Sequence, residues 1–259
     1  MLLVAMLSLA ACHRDKDSGA DACVAPLGVG TPVAGDVNGD GEVDVADATR
    51  LFGGLFRAGA APACDAAADL VQDGLVEAGD GFALLSYLYA GRTALPTLAE
   101  GACATPAIDE GTCAPLSWTI DAPNSSSGTS FEATIGLSTP ELSPEAWSLS
   151  VSASGCSVTA ASAAQAVALG YDRTGLSSAG GAVSAVILDW HDGSTLAARA
   201  ADWPLLTLSI SGSCGTCTLS VEDGQQGDGQ PVADVVSVGG RSYRPEAAHA
   251  TITLCGASS

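Results

Sequence analysis

Asp36-Val37-Asn38-Gly39-Asp40-Gly41-Glu42-Val43-Asp44-Val45-Ala46-Asp47 is the stretch on which the organisation of this chain turns. A hard cation such as Ca²⁺ takes roughly six to eight oxygen ligands, and a twelve-residue loop delivers them from positions 1, 3, 5, 7, 9 and 12, with Gly at position 6 for a sharp turn. Every demanded place is filled. Asp36, Asn38, Asp40, Asp44 and Asp47 offer side-chain oxygens, Glu42 offers its backbone carbonyl, and Val43 supplies the inward apolar residue. The joint match distinguishes this segment from a solvated acidic turn and predicts a calcium site.

Working outward, the same pattern returns 33 residues later: Asp36 matches Asp69, Asp40 matches Asp73, Gly41 matches Gly74, Val43 matches Val76 and Asp47 matches Asp80. Leu51, Leu55 and Phe56 then match Leu84, Leu88 and Tyr89, so each unit reads as an acidic loop followed by a short amphipathic helix. The second loop offers Asp69, Asp73, the carbonyl of Leu75, Glu77 and Asp80, but position 3 is Val71, which has no side-chain oxygen. A second, weaker calcium site is expected there.

A pair of EF-hand-type loop-helix units with Asp at position 12, joined through Ala60-Ala61-Pro62-Ala63-Cys64, resembles the type I dockerin, a calcium module that plugs into cohesin domains of polysaccharide-degrading complexes. Dockerins often carry a Ser-Thr type pair at loop positions 10 and 11 for cohesin recognition; Val45-Ala46 and Ala78-Gly79 stand there instead. What the resemblance implies is therefore either a protein partner or docking of the two modules of this chain on each other. Phe52, Leu85 and Tyr89 are the helix residues available to pack on the rest of the chain, with the small module's own core as their plainer role.

Beyond residue 117 the period changes to two. Phe131, Ala133, Ile135 and Leu137 alternate with polar residues, as do Trp147, Leu149, Val151 and Ala153, and Gly, Ser, Asp and Pro clusters punctuate further apolar runs. An antiparallel all-β sandwich follows. Ala146-Trp147-Ser148-Leu149-Ser150-Val151, Ala182–Trp190 and Asp234–Gly240 resemble cohesin-like sandwiches, which implies a fold more than an activity. The expected architecture is multidomain: signal peptide 1–11, tether 12–33, dockerin-like EF-hand pair 34–98, Cys-containing linker 99–117 and β-sandwich 118–257.

The first eleven residues form an apolar run too short to span a bilayer and read as an export signal. Leu9-Ala10-Ala11-Cys12 resembles the lipobox of bacterial lipoproteins, which implies lipidation at Cys12, an envelope location and membrane contact only through that anchor; the alternative is an ordinary secreted chain. Eight further cysteines suit an exported, disulfide-bonded protein. Local spacing suggests Cys103 with Cys113 and Cys156 with Cys255, and a structural role for Cys214-Gly-Thr-Cys217.

A net charge of −20 with nine basic residues, only one of them lysine (Lys16), excludes nucleic acid as a partner. The 47% hydrophobic fraction argues that the chain packs in spite of its charge. Catalysis finds little support: there is no GxSxG, no HExxH and no phosphate-cradling loop, and His191-Asp192-Gly193-Ser194 reads as a turn after the strand ending at Trp190. Trp203, beside Pro204, is the candidate ligand platform, since an exposed indole stacks on sugar rings. The sequence thus favours a non-catalytic, calcium-binding interaction or display protein; the alternative is a carbohydrate-binding accessory of extracellular polysaccharide degradation, with a polysaccharide as its partner.

Overall fold

The acidic loop at 36–47 ends in a capping box that launches the first helix. In α1 (Val45–Phe56), Asp44 is the N-cap and its Oδ1 accepts from the Ala46 N–H at 2.8 Å, while Asp47 at the third helical position accepts from the Asp44 N–H at 2.8 Å. Two carboxylates at a helix start satisfy donors that have no partner within the helix and sit at the positive end of its dipole. A single turn, α2 (Asp65–Ala68), precedes the second loop, and α3 (Ala78–Ala90) follows it. A Cβ on Gly81 would lie 2.4 Å from Phe52 Cζ, so glycine is what lets α3 close against α1. Their small core holds Val37, Leu51, Phe52, Leu70, Leu84 and Leu88, with Val43 and Val76 of the two loops packed against it.

The structure, a computed structural model, describes residues 23–24, 31–90, 94–103, 114–169, 171, 173–179, 182–188, 195–223, 225–226 and 231–256. The signal run, Cys12 and the segment 189–194 with His191 lie outside them. Beyond the helices come short strands β1 (Cys23–Val24) and β2 (Ala114–Pro115), which pair with each other, then β3 (Ser117–Asp121), β4 (Ser125–Ser126), β5 (Ser130–Thr139), β6 (Ala146–Ser154) and β7 (Cys156–Ser162). After α4 (Ala164–Ala168) follow β8 (Arg173–Ala179), β9 (Ala182–Leu188), β10 (Arg199–Gly212), β11 (Gly215–Val221), β12 (Gln225–Gln226), β13 (Pro231–Val232), β14 (Val235–Val238), β15 (Arg241–Tyr243) and β16 (His249–Leu254).

Two sheets face each other. One has the order β3-β5-β10-β7; in the other β6 is central, with β9 and then β8 on one edge and β14 and β11 on the opposite edge, extended through β15 and through β16 to β4. Between them Ile135, Leu137, Leu206, Leu208 and Ile210 meet Trp147, Leu149, Val151, Leu219 and Ile252. Trp147 packs edge-on to Tyr171 at a centroid distance of 4.5 Å. The expected period of two is therefore met in β5 and β6. Among the described residues the strand ladders are antiparallel except that β4 runs parallel to β16, because the chain crosses from Asp121 to the far edge of the second sheet before turning into β5; Ser117 also makes an isolated parallel bridge to Glu246.

Both suggested cysteine pairings are overturned. Cys103 bonds to Cys64 rather than Cys113, Cys156 to Cys217, and Cys214 to Cys255. The physical reason lies in β11: positions three apart in a strand face opposite sides. Cys217 is buried in the core and reaches Cys156 on the facing sheet, while Cys214, next to the Gly215–Leu254 register pair, meets Cys255. The Cys214-x-x-Cys217 motif is structural. Three disulfides among the described residues mark an exported protein, and no helix among the described residues is long and apolar enough to cross a membrane.

Asp234, buried ahead of β14, accepts from the Ser150 N–H at 2.7 Å. Burial pushes its carboxyl up to about 7, against the Ser150 hydrogen bond and with added repulsion from Asp223. Its folded pKa thus lies above the ordinary 3.8, so the stability it contributes is full below about pH 4 and is lost as pH rises through about 7. Asp234→Asn keeps an oxygen for Ser150 and removes the titration. Urea denaturation should find the variant close to wild type at about pH 4 and the more stable of the two at about pH 8.

Candidate metal centre

The two acidic loops share most of a hydrogen-bond framework. Asp47 Oδ1 accepts from the N–H groups of Val37 and Asn38 at 2.7 and 3.0 Å; Asp80 Oδ1 accepts from Leu70 and Val71 at the same distances. Asp47 Oδ2 and Asp80 Oδ2 each accept at 2.8 Å, from Asp44 and Glu77. Asp36 Oδ2 takes the Gly41 N–H at 2.9 Å, as Asp69 Oδ2 takes that of Gly74 at 3.0 Å, and Asp40 and Asp73 each cap the residue two places on at 3.0 Å. Gly41 and Gly74 both have φ +88°, the left-handed turn that a side chain resists.

Where the loops differ is burial. In the first, Asp36, Asp44 and Asp47 are 1%, 3% and 0% exposed; in the second only Asp80 is buried, and Val71 and Leu75 are 47% and 63% exposed. Asn38 at position 3 of the first loop accepts from the Asp40 N–H on its Oδ1 at 3.0 Å and donates from its Nδ2 to Asp40 Oδ2 at 3.0 Å. Val71 supplies no such contact.

Three buried carboxylates in one short loop resist ionising together. Burial pushes Asp36 up to about 6, opposed by the N–H groups of Gly39 and Gly41 and reinforced by Asp40. It pushes Asp44 up to about 7 against the Ala46 N–H, again with repulsion from Asp40, and holds Asp47 well above the usual range, with Asp44 adding to the effect. Among the described residues no three His, Cys, Asp or Glu side chains close on one point, and Asp44 Oδ2 is buried without a hydrogen-bond partner. The donor set is all oxygen, anionic and partly unsatisfied. Asp36, Asn38, Asp40, the Glu42 carbonyl, Asp44 and Asp47 are the oxygen type that a hard divalent cation takes, with the side chains not gathered on one point.

The first loop also touches the sandwich. Ser242 Oγ, on β15 and 1% exposed, donates to Asp44 Oδ1 at 3.1 Å and accepts from Asn38 Nδ2 at 3.2 Å. Arg244 pairs with the Glu42 carboxylate and, at 2.6 Å, with Asp223. Along α1, Val45 is buried with Ala146 and Val235, the Thr49 and Ser237 hydroxyls share a hydrogen bond of 2.6 Å, and Arg57 faces Glu145 at 3.6 Å. From α3, Leu85 and Tyr89 join the same apolar cluster. This seat covers Ala146 on the outer face of β6, while Ser150 further along that face is covered by Asp234 and Glu222 of the sandwich itself, so the outer residues are buried as fully as the inward ones. Phe52 belongs to the helical module's own core, as its plainer role required.

Ser242, Arg244 and Glu145 carry no local sequence signal; only Gly239-Gly240 hints at the seat, since a Cβ on Gly240 would lie 2.9 Å from Arg50 Cδ. His249 lies 3.0 Å from Ser220 Oγ, its cross-strand partner on β11, a pair the sequence did not suggest. Trp203 sits in β10, half-buried against the sandwich core, with its ring N–H donating to the Ala197 carbonyl at 3.0 Å. The candidate platform is thus part-buried, with its polar edge engaged.

No family model matches the chain, and no curated protein matches it. Over about half its length it is similar in structure to cohesin domains. The seventh ScaB type I cohesin from Pseudobacteroides cellulosolvens aligns at 10% identity and a TM-score of 0.41, covering 55% of this chain and 95% of that one. The third ScaB cohesin of R. flavefaciens, solved in complex with a group 1 dockerin, aligns at 13% identity and 0.38, covering 55% and 96%. A non-cellulosomal cohesin from the archaeon Archaeoglobus fulgidus aligns at 8% identity and 0.35, covering 54% and 90%.

A Cβ added to Gly74 would meet no atom within 4 Å, so substitution there strains the backbone alone. Gly74→Ala is expected to cost about 1 kcal/mol, and Gly74→Asn less, because Asn tolerates the left-handed region. Thermal unfolding of the two variants checks the order.

Proposed function

We propose that this chain is a non-catalytic, calcium-binding interaction protein, exported and held at the bacterial envelope through lipid at Cys12, in which a dockerin-like loop-helix pair is seated on a cohesin-like sandwich of the same chain. The observation that carries it is the seat itself. Positions 10 and 11 of the first loop, Val45 and Ala46, are fully buried, and Val45 lies against Ala146 and Val235 of the sandwich. A helix face so occupied is unavailable to a second protein, which favours docking within the chain over capture of a partner by that face.

Calcium has a structural role in this proposal. Bound in the first loop, Ca²⁺ supplies the positive charge that Asp36, Asp44 and Asp47 need in order to be buried as carboxylates. The chain's own residues do the rest: loop N–H groups aim the oxygens, and the capping box ties the last ligand to α1. Because ion binding to the folded state adds to folding free energy, stability should follow calcium concentration. The second loop, with Val71 at position 3 and three of its acids in reach of solvent, is the weaker site.

Native mass spectrometry of the mature chain, with and without chelator, tests this directly. One tightly held Ca²⁺, with a second appearing at higher concentration, is expected; Asp47→Ala should abolish the tight ion, and chelator should lower the melting temperature by several degrees. A chain that binds no calcium and melts alike in both conditions would remove the proposal's basis.

A further inference from the structure

Loop one does not stand on its own residues. Asn38 at position 3 and Asp44 at position 9 both hydrogen-bond one hydroxyl, Ser242 Oγ, which belongs to the sandwich. Glu42 at position 7 sends its carboxylate to Arg244, two residues further along the same chain segment. Two of the six ligand groups, the side chains of Asn38 and Asp44, are thus held from outside the loop by one hydroxyl that is 1% exposed, and the side chain of a third position, Glu42, is paired from the same segment. Nothing equivalent reaches loop two among the described residues: its framework bonds are internal, and Asp73, Leu75 and Glu77 are exposed. The buried Asp44 Oδ2, without a partner among the described residues, belongs to the same carboxylate whose Oδ1 accepts the hydrogen bond from the Ser242 hydroxyl.

We propose that the first calcium site is composite, with Ser242 as its positioning residue from the sandwich and Arg244 as the counter-charge for Glu42, so that ion binding and the seating of the two modules on each other are one coupled equilibrium. It rests on the calcium reading above. The physical content is orientation. A hydroxyl donating to Asp44 Oδ1 leaves Oδ2 for the ion, and the same oxygen, accepting from Asn38 Nδ2, holds the amide so that its Oδ1 faces the loop, where the Asp40 N–H already binds it. Groups that orient a ligand in this way commonly change metal affinity by about 10–100-fold. Coupling is reciprocal: if the docked sandwich tightens the ion, the ion tightens docking by the same factor. Loop two, outside the seam, has no share in it.

The test uses the full mature chain and Ca²⁺ itself. Calorimetric titration of wild type and Ser242→Ala should show the tighter of two binding events weakened about tenfold and the weaker unchanged. In parallel, amide hydrogen exchange is followed in β14 and β15. Exchange there should rise when calcium is withdrawn, rise likewise in Asp36→Asn, and stay low in Asp73→Asn, which disables loop two only. Two ions bound with equal affinity in wild type and Ser242→Ala, or β14–β15 exchange indifferent to calcium in the wild-type chain, would overturn the composite site while leaving calcium binding intact. No ion bound at all would overturn the calcium reading beneath it. The exchange measurement on wild type needs no substitution, so the outcome stands even if Ser242→Ala folds poorly.

Discussion

Three carboxylates buried within one twelve-residue loop set the terms for everything around them. A buried charge must be neutralised, paired or hydrogen-bonded, and the loop around Asp36, Asp44 and Asp47 answers with N–H donors from its own backbone. Those donors are in place only when Gly39 and Gly41 adopt positive φ and when Asp44 and Asp47 start α1 as its capping box. The position of α1 is therefore a consequence of where the acids are held. Once α1 is placed, Val45 and Thr49 meet the outer face of β6 and β14, and the two halves of the molecule become one packed body at that seam.

The outer face of β6 shows how the sandwich accommodates this. Ala146 is small, so a helix approaches closely there, and each hydroxyl further along finds an acceptor: Ser148 the Ala233 carbonyl at 2.7 Å, Ser150 the Glu222 carbonyl at 2.7 Å. Burying such groups without partners would be costly; with partners it defines a single register for the seat. The inward face of the same strand, by contrast, carries Trp147, Leu149 and Val151 and belongs wholly to the sandwich core. One strand thus serves two interfaces by the alternation inherent in its pleat.

Much of this was legible in the residues. The 33-residue repeat announced a repeated hydrogen-bond framework, and the alternation at Phe131–Leu137 and Trp147–Ala153 announced the facing sheets. What escaped was whatever depends on which distant strands become neighbours. Cysteine pairing is set by register and by which side of β11 each residue faces, and neither is encoded near Cys214 or Cys217. Ser242 and Arg244 look like ordinary residues of a short strand and its exit until the loop at 36–47 is brought against them. The repeat also overstated its own symmetry: Leu88 is buried where its counterpart Leu55 is 37% exposed, because one helix end meets core and the other meets solvent.

That broken symmetry has a bearing on how such a chain changes over time. Two units built on one sequence pattern stand in different surroundings. Loop one answers to a helix start and to a neighbouring sheet at once, so almost any substitution there offends at least one of them. Loop two answers mainly to its own fold, and Val71, sitting where Asn38 sits in its twin, is the kind of replacement such freedom permits. Future sequence drift, and any engineered graft, has its widest latitude in the second copy.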